Sequence, residues 1–256
     1  MSLSTFKKCP LKFKLKYIDG IRWKNSSAVI RHFAEVFEKG KKFHLLAERY
    51  FQGISTDFER FKEEEPEIYE WINKLKEYFV IKKEHTYLPE YQLRMIEDPI
   101  RLQAKYDLIV DTKGELQVWD WKTAGKRLKR DKLEQSFQTI VYLYLLKEKS
   151  ELAVDRKVNA EDIKMIYLQP NYIDSPVVID YTEEKHKRFE EVIKNTIDTI
   201  NNYDFMNDFD KSLYKKHCKY CEFNFLCNNE RINLFKSDDE EIIDEIDWDD
   251  IEEIVI

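Results

Sequence analysis

The chain is 256 residues long, 43% hydrophobic and 36% charged, long enough for one large domain or two small ones and without an apolar run able to span a membrane. Its N-terminus, MSLSTFKKCPLKFK, is basic but has no apolar stretch, so export is not indicated, a reducing cytoplasm is expected, and the four cysteines read as metal ligands or free thiols rather than disulfides. The net charge of −7 conceals an asymmetry: residues 236–256 hold 11 acidic residues and one lysine, a charge of −10, which leaves the other 235 residues at +3.

Residues 2–24 interleave Lys7, Lys8, Lys12, Lys14 and Lys16 with Phe6, Phe13 and Tyr17. Two readings fit: lysines and rings that take the phosphates and bases of a nucleic-acid strand, or an amphipathic helix with a solvated basic face. Ser26 or Ser27 is placed to cap a helix carrying Val29, Ile30, Phe33 and Phe37, which Gly40 interrupts. A second helix carries Phe43, Leu46, Ala47, Tyr50 and Phe51, with His44 beside its apolar stripe as either a core residue or a ligand. Residues 59–79 predict another helix through Phe61, Tyr69, Trp71, Ile72, Leu75 and Phe79. Residues 80–111 then change period and read as strands, with Glu90 among them.

The stretch Tyr106 to Thr123, YDLIVDTKGELQVWDWKT, reads as a β-hairpin about a Lys113-Gly114 turn, with the glycine supplying a positive φ. A two-residue loop sets Asp107 opposite Asp120. Like charges directly opposed destabilise a sheet, so a divalent cation between them is expected. Lys122, two residues past Asp120, shares its face. Two acids and a lysine together can hold a hard cation and stabilise a charged transition state. The alternative is a surface hairpin with ordinary charges, but Val118, Trp119 and Trp121 surround the acids.

The basic loop that follows carries Lys126, Arg127, Lys129 and Arg130 and is expected to reach DNA phosphates. A helix is predicted over 131–147, with Gln138 and Tyr142 four apart on one face, then a strand over 163–169 and a Thr182-capped helix over 182–203. HCKYCEFNFLCNN spaces Cys218, Cys221 and Cys227 as C-x2-C-x5-C, and Cys9 completes the quartet. Four thiolates suit tetrahedral zinc or an iron–sulfur cluster, and a triplet with one distant fourth favours the cluster. A shared ligand set would then close a loop of about two hundred residues. In the tail, Ile242, Ile243, Ile246, Trp248, Ile251, Ile254 and Val255 recur every three to four positions among acids. That pattern fits a partner-binding helix, a DNA mimic or a solvating terminus.

The ordered set Ser4-x4-Cys9-Pro10, Gly40-x3-His44, Asp107, Asp120-Trp121-Lys122, Gln138-x3-Tyr142 and C-x2-C-x5-C resembles the PD-(D/E)XK nuclease superfamily. The likeness is to RecB/AddB-type exonuclease domains and CRISPR-associated iron–sulfur nucleases. The resemblance implies an α/β, restriction-endonuclease-like fold: a mixed central sheet flanked by helices, with a helical part bearing the cluster. It implies one nuclease domain over 1–235 and an acidic tail over 236–256. His44, Asp107, Asp120 and the Trp121 carbonyl would bind Mg²⁺ or Mn²⁺. Lys122 would activate water, Gln138 and Tyr142 would position the site and the DNA, and Cys9, Cys218, Cys221 and Cys227 would hold [4Fe-4S]. The family's glycine shortly before the first acid is missing; Ala104, Lys105 and Tyr106 stand there. The implied activity is a metal-dependent deoxyribonuclease, an exonuclease on single strands or DNA ends in repair or recombination. An adaptor that keeps the fold, or a nuclease for RNA, is the alternative. DNA is the expected partner, a protein could bind the tail, and no G-x4-G-K-[ST] helicase loop is present.

Overall fold

The computed structural model describes residues 3–21, 28–98, 100–218 and 221–229. The expected Ser26 or Ser27 cap and the acidic tail lie outside them. In chain order the elements are α1 (Leu3–Lys8), α2 (Pro10–Phe13), a π-helical turn (Lys14–Ile18), α3 (Ala28–Phe51), α4 (Arg60–Glu64), α5 (Pro66–Tyr78), β1 (Thr86–Glu97), β2 (Ile100–Asp111) and β3 (Leu116–Trp121). There follow α6 (Arg130–Glu134), α7 (Phe137–Glu148), α8 (Ser150–Val154), β4 (Ile163–Leu168), β5 (Val177–Asp180), α9 (Glu183–Asn202) and α10 (Asn224–Asn228). No helix among the described residues is long and apolar enough to cross a membrane.

Local chemistry sets several boundaries. The helix predicted over 59–79 is split by Pro66: Glu65 leaves the helical region (φ −145°, ψ 70°), as the residue before a proline tends to. The helix predicted over 131–147 is split by Ser136, whose hydroxyl accepts the Thr139 N–H and starts α7. Gly40 does not end a helix; α3 runs through it, and a Cβ there would lie 3.1 Å from Thr123 Oγ1. The glycine thus permits close approach to the end of β3 rather than a break. In the hairpin turn the positive φ falls on Lys113 (72°), not on Gly114, while Thr112 N–H still bonds Glu115 O at 3.0 Å. Strand β5 had no clear sequence signal: it is only four residues long, Val177–Asp180, and follows a proline.

The chain divides into two compact units. One comprises residues 37–194 and contains a five-stranded sheet of order β1-β2-β3-β4-β5. Strands β1 to β3 form an antiparallel meander, β4 joins β3 in parallel, and β5 returns antiparallel to β4. A parallel partner needs a crossover, and α6 to α8 supply it. Both sheet faces are covered, so β3 and β4 read as nearly continuous apolar runs. On one face Leu108, Val110, Trp119, Trp121, Ile166 and Leu168 pack with Phe43, Leu46, Phe51, Trp71, Ile72 and Leu75 of α3 and α5. On the other, Tyr106 OH donates to Tyr142 O, and Thr139 and Tyr167 share a hydroxyl hydrogen bond, tying α7 to β2 and β4.

The other unit joins residues 1–36 with 195–256. Within it Phe6 and Phe13 are buried, and Phe6 packs edge-on against Phe13 and Tyr203. These rings serve packing, so of the two readings of the N-terminal stretch, burial supports the amphipathic helix rather than a base-stacking surface. Lys12 pairs with Glu222 at 3.1 Å in the same unit.

Asp111 is buried at the end of β2. It accepts two Arg156 hydrogen bonds at 2.7 Å and the Lys113 N–H of the turn at 2.8 Å. The Arg156 guanidinium, against the cost of burial, holds its carboxyl below the usual carboxylate range. A depressed folded-state pKa contributes stability above the unfolded value and loses it as pH falls through the folded one. Asp111→Asn should therefore cost about 2 kcal/mol at neutral pH. The gap to wild type should begin to narrow below about pH 4, the unfolded carboxylate pKa, and close as pH falls through the lower folded value. Urea unfolding at the two pH values measures this.

Candidate active site

The register of β2 on β3 runs Asp111↔Leu116 to Leu108↔Trp119. One step further brings Asp107 level with Asp120, as the two-residue turn requires. The ladder does not close there with backbone alone. Asp107 Oδ2 accepts the Trp121 N–H at 2.7 Å, and Lys122 N–H bonds Leu168 O of β4 at 2.9 Å. His44, from α3, stands 3.3 Å from Asp107 Oδ1 through Nδ1 and 3.1 Å from Trp121 O through Nε2. The ring thus faces one acceptor from each of its nitrogens.

Glu90 completes this corner. Pairing passes from Pro89↔Leu108 to Tyr91↔Tyr106, leaving Glu90 opposite Asp107. Proline is tolerated because β1 is an edge strand. Glu90 has φ 52°, a conformation uncommon outside glycine and often found where a side chain is held for function. His44, Glu90 and Asp107 each present a ligand atom within 4.8 Å of the others. Two carboxylates, an imidazole and the nearby Trp121 carbonyl are a suitable donor set for Mg²⁺ or Mn²⁺. Burial raises the Glu90 carboxyl, and repulsion from Asp107 adds to this against the ion pair with Lys105. Burial acts on Asp107 too, but His44, the Trp121 amide and Lys122 outweigh it and keep that carboxyl below its ordinary range. Neighbouring acids pushed in opposite directions are a mark of functional sites.

Asp120 lies outside that triplet and is held separately. Its Oδ1 accepts from Gln138 Nε2 at 2.8 Å, and its Oδ2 is 2.9 Å from Lys122 Nζ. Lys122 Nζ in turn donates to Gln138 Oε1 at 3.1 Å. Asp120, Lys122 and Gln138 thus form a closed polar triangle on one sheet face, with the lysine also 5.8 Å from the centre of the Tyr167 ring. The Tyr142 hydroxyl donates to Lys105 O at 2.5 Å and braces α7 against β2. Lys126, Arg127 and Lys129 are exposed on the loop after Lys122, and Arg130 is exposed at the start of α6.

Cys9, Cys218, Cys221 and Cys227 are all half-buried free thiols. Cys9 interacts electrostatically with each of the other three despite the sequence separation. Burial first, then repulsion from neighbouring thiolates, raises Cys9 and Cys227, and burial carries Cys221 up to about 12.

Sequence reasoning listed the acids, lysine and histidine but left Glu90 without a role. The family resemblance marks Glu90 as a position where relatives often carry an acid; its partner Asp107 becomes visible only once the β1–β2 register is known. Gln169 was missed except as the end of a strand.

A hard-cation donor set beside a lysine-bearing carboxylate is the layout of a metal-dependent phosphodiesterase. The chain matches the PD-(D/E)XK nuclease superfamily over residues 1–228 and belongs to it. A solved structure titled "Crystal structure of SSO0001" aligns with 67% of this chain and 80% of its own, at 19% identity and a TM-score of 0.35. No curated protein matches the chain.

Glu90→Gln preserves shape but removes one anionic donor. It should weaken Mn²⁺ binding, measured by calorimetric titration, by at least the roughly tenfold that loss of even an outer-sphere partner costs. Unchanged affinity would remove Glu90 from the ligand set.

Proposed function

We propose that this nuclease cleaves DNA, acting on single strands or ends, with a divalent ion at His44, Asp107, Asp120 and the Trp121 carbonyl, joined by Glu90. The observation that carries the reading is the Asp120–Lys122–Gln138 triangle on the strand next to the His44–Glu90–Asp107 triplet. A bound Mg²⁺ or Mn²⁺ would supply Lewis-acid activation of water and neutralise phosphate charge.

The protein's own groups do the rest. Asp120 and Gln138 fix the Lys122 ammonium in one place, so its positive charge is already oriented when negative charge grows on the phosphate. Lys122 orients the attacking water and the reacting phosphoryl oxygen without having to act as a base. Asp107, kept ionised by His44 and the Trp121 amide, offers a carboxylate to the same water. Gln138 turns its amide both ways, donating to Asp120 and accepting from Lys122, so Gln138→Leu disturbs both partners at once. The exposed cations at Lys126, Arg127, Lys129 and Arg130 take neighbouring phosphates.

The four cysteines belong to a [4Fe-4S] cluster in this reading. Support comes from their spacing and from the mutual interaction of Cys9 with the C-terminal triplet. The cluster's role is structural, because its ligands bracket the chain.

Labelled DNA and RNA oligonucleotides, incubated with wild type and Lys122→Ala in Mg²⁺ or Mn²⁺, test the activity. DNA should be cut, RNA spared, and the variant should be slower by at least about a hundredfold. Equal cutting of RNA would favour an RNA nuclease, and no cutting at all an adaptor. Anaerobically purified protein should be brown, and Cys227→Ser should lose both colour and melting temperature. A colourless protein with stoichiometric zinc would refute the cluster.

A further inference from the structure

Gln169 follows β4 directly and is 5% exposed. Its amide is fully engaged with one loop. Nε2 donates to Ala124 O at 2.9 Å and to Lys126 O at 2.7 Å, and Oε1 accepts the Leu128 N–H at 2.9 Å. Both donors and one acceptor of a buried side chain are therefore given to the backbone of residues 124–128. Tyr172, on the 3₁₀ turn after Gln169, adds a hydrogen bond to Gly125 O at 2.9 Å, and its ring lies 4.8 Å from the Arg127 guanidinium carbon.

This loop starts where β3 ends. Lys122 is anchored to β4 through Leu168 O, one residue before Gln169. The same strand end thus fixes both the catalytic lysine and the loop behind it. Lys126 is four residues past Lys122, so their Cα atoms are at most about 14 Å apart. Between 126 and 130 only Leu128 is uncharged, and all four cations are exposed. The Ala124 and Lys126 carbonyls face inward to Gln169 while the charges face solvent. A loop already ordered loses less conformational freedom when it binds. An arginine seated on a ring keeps its N–H edge for bidentate phosphate contact.

We propose that Gln169 is a positioning residue for substrate. It holds residues 124–129 as a preformed arm whose Lys126, Arg127 and Lys129 take the phosphates next to the scissile one. The inference rests on the nuclease reading above.

The test compares wild type, Gln169→Met and Tyr172→Phe, each also in an Arg127→Ala/Lys129→Ala background. KM and kcat are measured in Mg²⁺ on a fluorescent single-stranded oligonucleotide, Kd in EDTA over a range of KCl, and Tm for each protein. Gln169→Met should raise KM and Kd by about tenfold, the scale of ordering one or two long side chains on binding. Its kcat should move by less than about twofold, and its plot of log Kd against log salt should be shallower by about one phosphate contact. In the arginine- and lysine-depleted background the same change should add less than about twofold, since its effect acts through those cations. Tyr172→Phe, a milder loss, should raise KM by about threefold, and it decides the matter if Gln169→Met does not fold. A lower Tm with KM and salt slope unmoved would reduce Gln169 to a fold brace. An undiminished effect in the depleted background would place its action elsewhere. Wild type that cuts nothing fails the nuclease reading, and the Kd and salt arms still decide the role of the loop.

Discussion

The hydrogen bond from the Trp121 N–H to Asp107 Oδ2, 2.7 Å long, is the constraint on which the site depends. It sits where the β2–β3 ladder stops pairing backbone to backbone. A carboxylate fills the acceptor place that a carbonyl would have taken. Were Asp107 apolar, the Trp121 amide would be stranded in a buried strand, at a cost of about 1–3 kcal/mol. The same peptide's carbonyl faces His44 Nε2, so one residue's two backbone groups fix an acid and an imidazole at once. Strand geometry and site geometry are here a single set of bonds.

Charge is compensated in two separate compartments. Asp107 leans on His44, and Asp120 leans on Lys122 and Gln138. Each of the two opposed carboxylates thus has its own basic neighbour. A divalent cation held by His44 would need that ring neutral, so its affinity should fall as pH drops.

Much of this could be read from the residues. Counting across the Lys113-Gly114 turn sets Asp107 level with Asp120, and a period of two puts Lys122 on the face of Asp120. The expected sharing of that face with Asp107 does not follow, since Asp107 turns to His44 of α3 and groups with Glu90 instead. Gln138 was visible through helical spacing with Tyr142. Other features depend on neighbours that no local pattern reveals. Glu90 needed the β1–β2 register. Gln169 needed the parallel return of β4 beside β3, a pairing across more than forty residues. Gly40 suggested a helix break because glycine is a poor helix former, but the approach of Thr123 outweighs propensity. Lys113 rather than Gly114 carries the positive φ because turn type is set by strand twist as well as by residue preference.

The two-residue turn between β2 and β3 has an evolutionary consequence. Surface turns ordinarily absorb insertions. Here one extra residue would shift β3 against β2 by one position and send Asp120 and Lys122 to the opposite face, among the tryptophans. Relatives that keep this chemistry should therefore hold the length of this short exposed turn constant while its sequence drifts. Length variation should collect instead in connections such as 79–85, where no register is at stake.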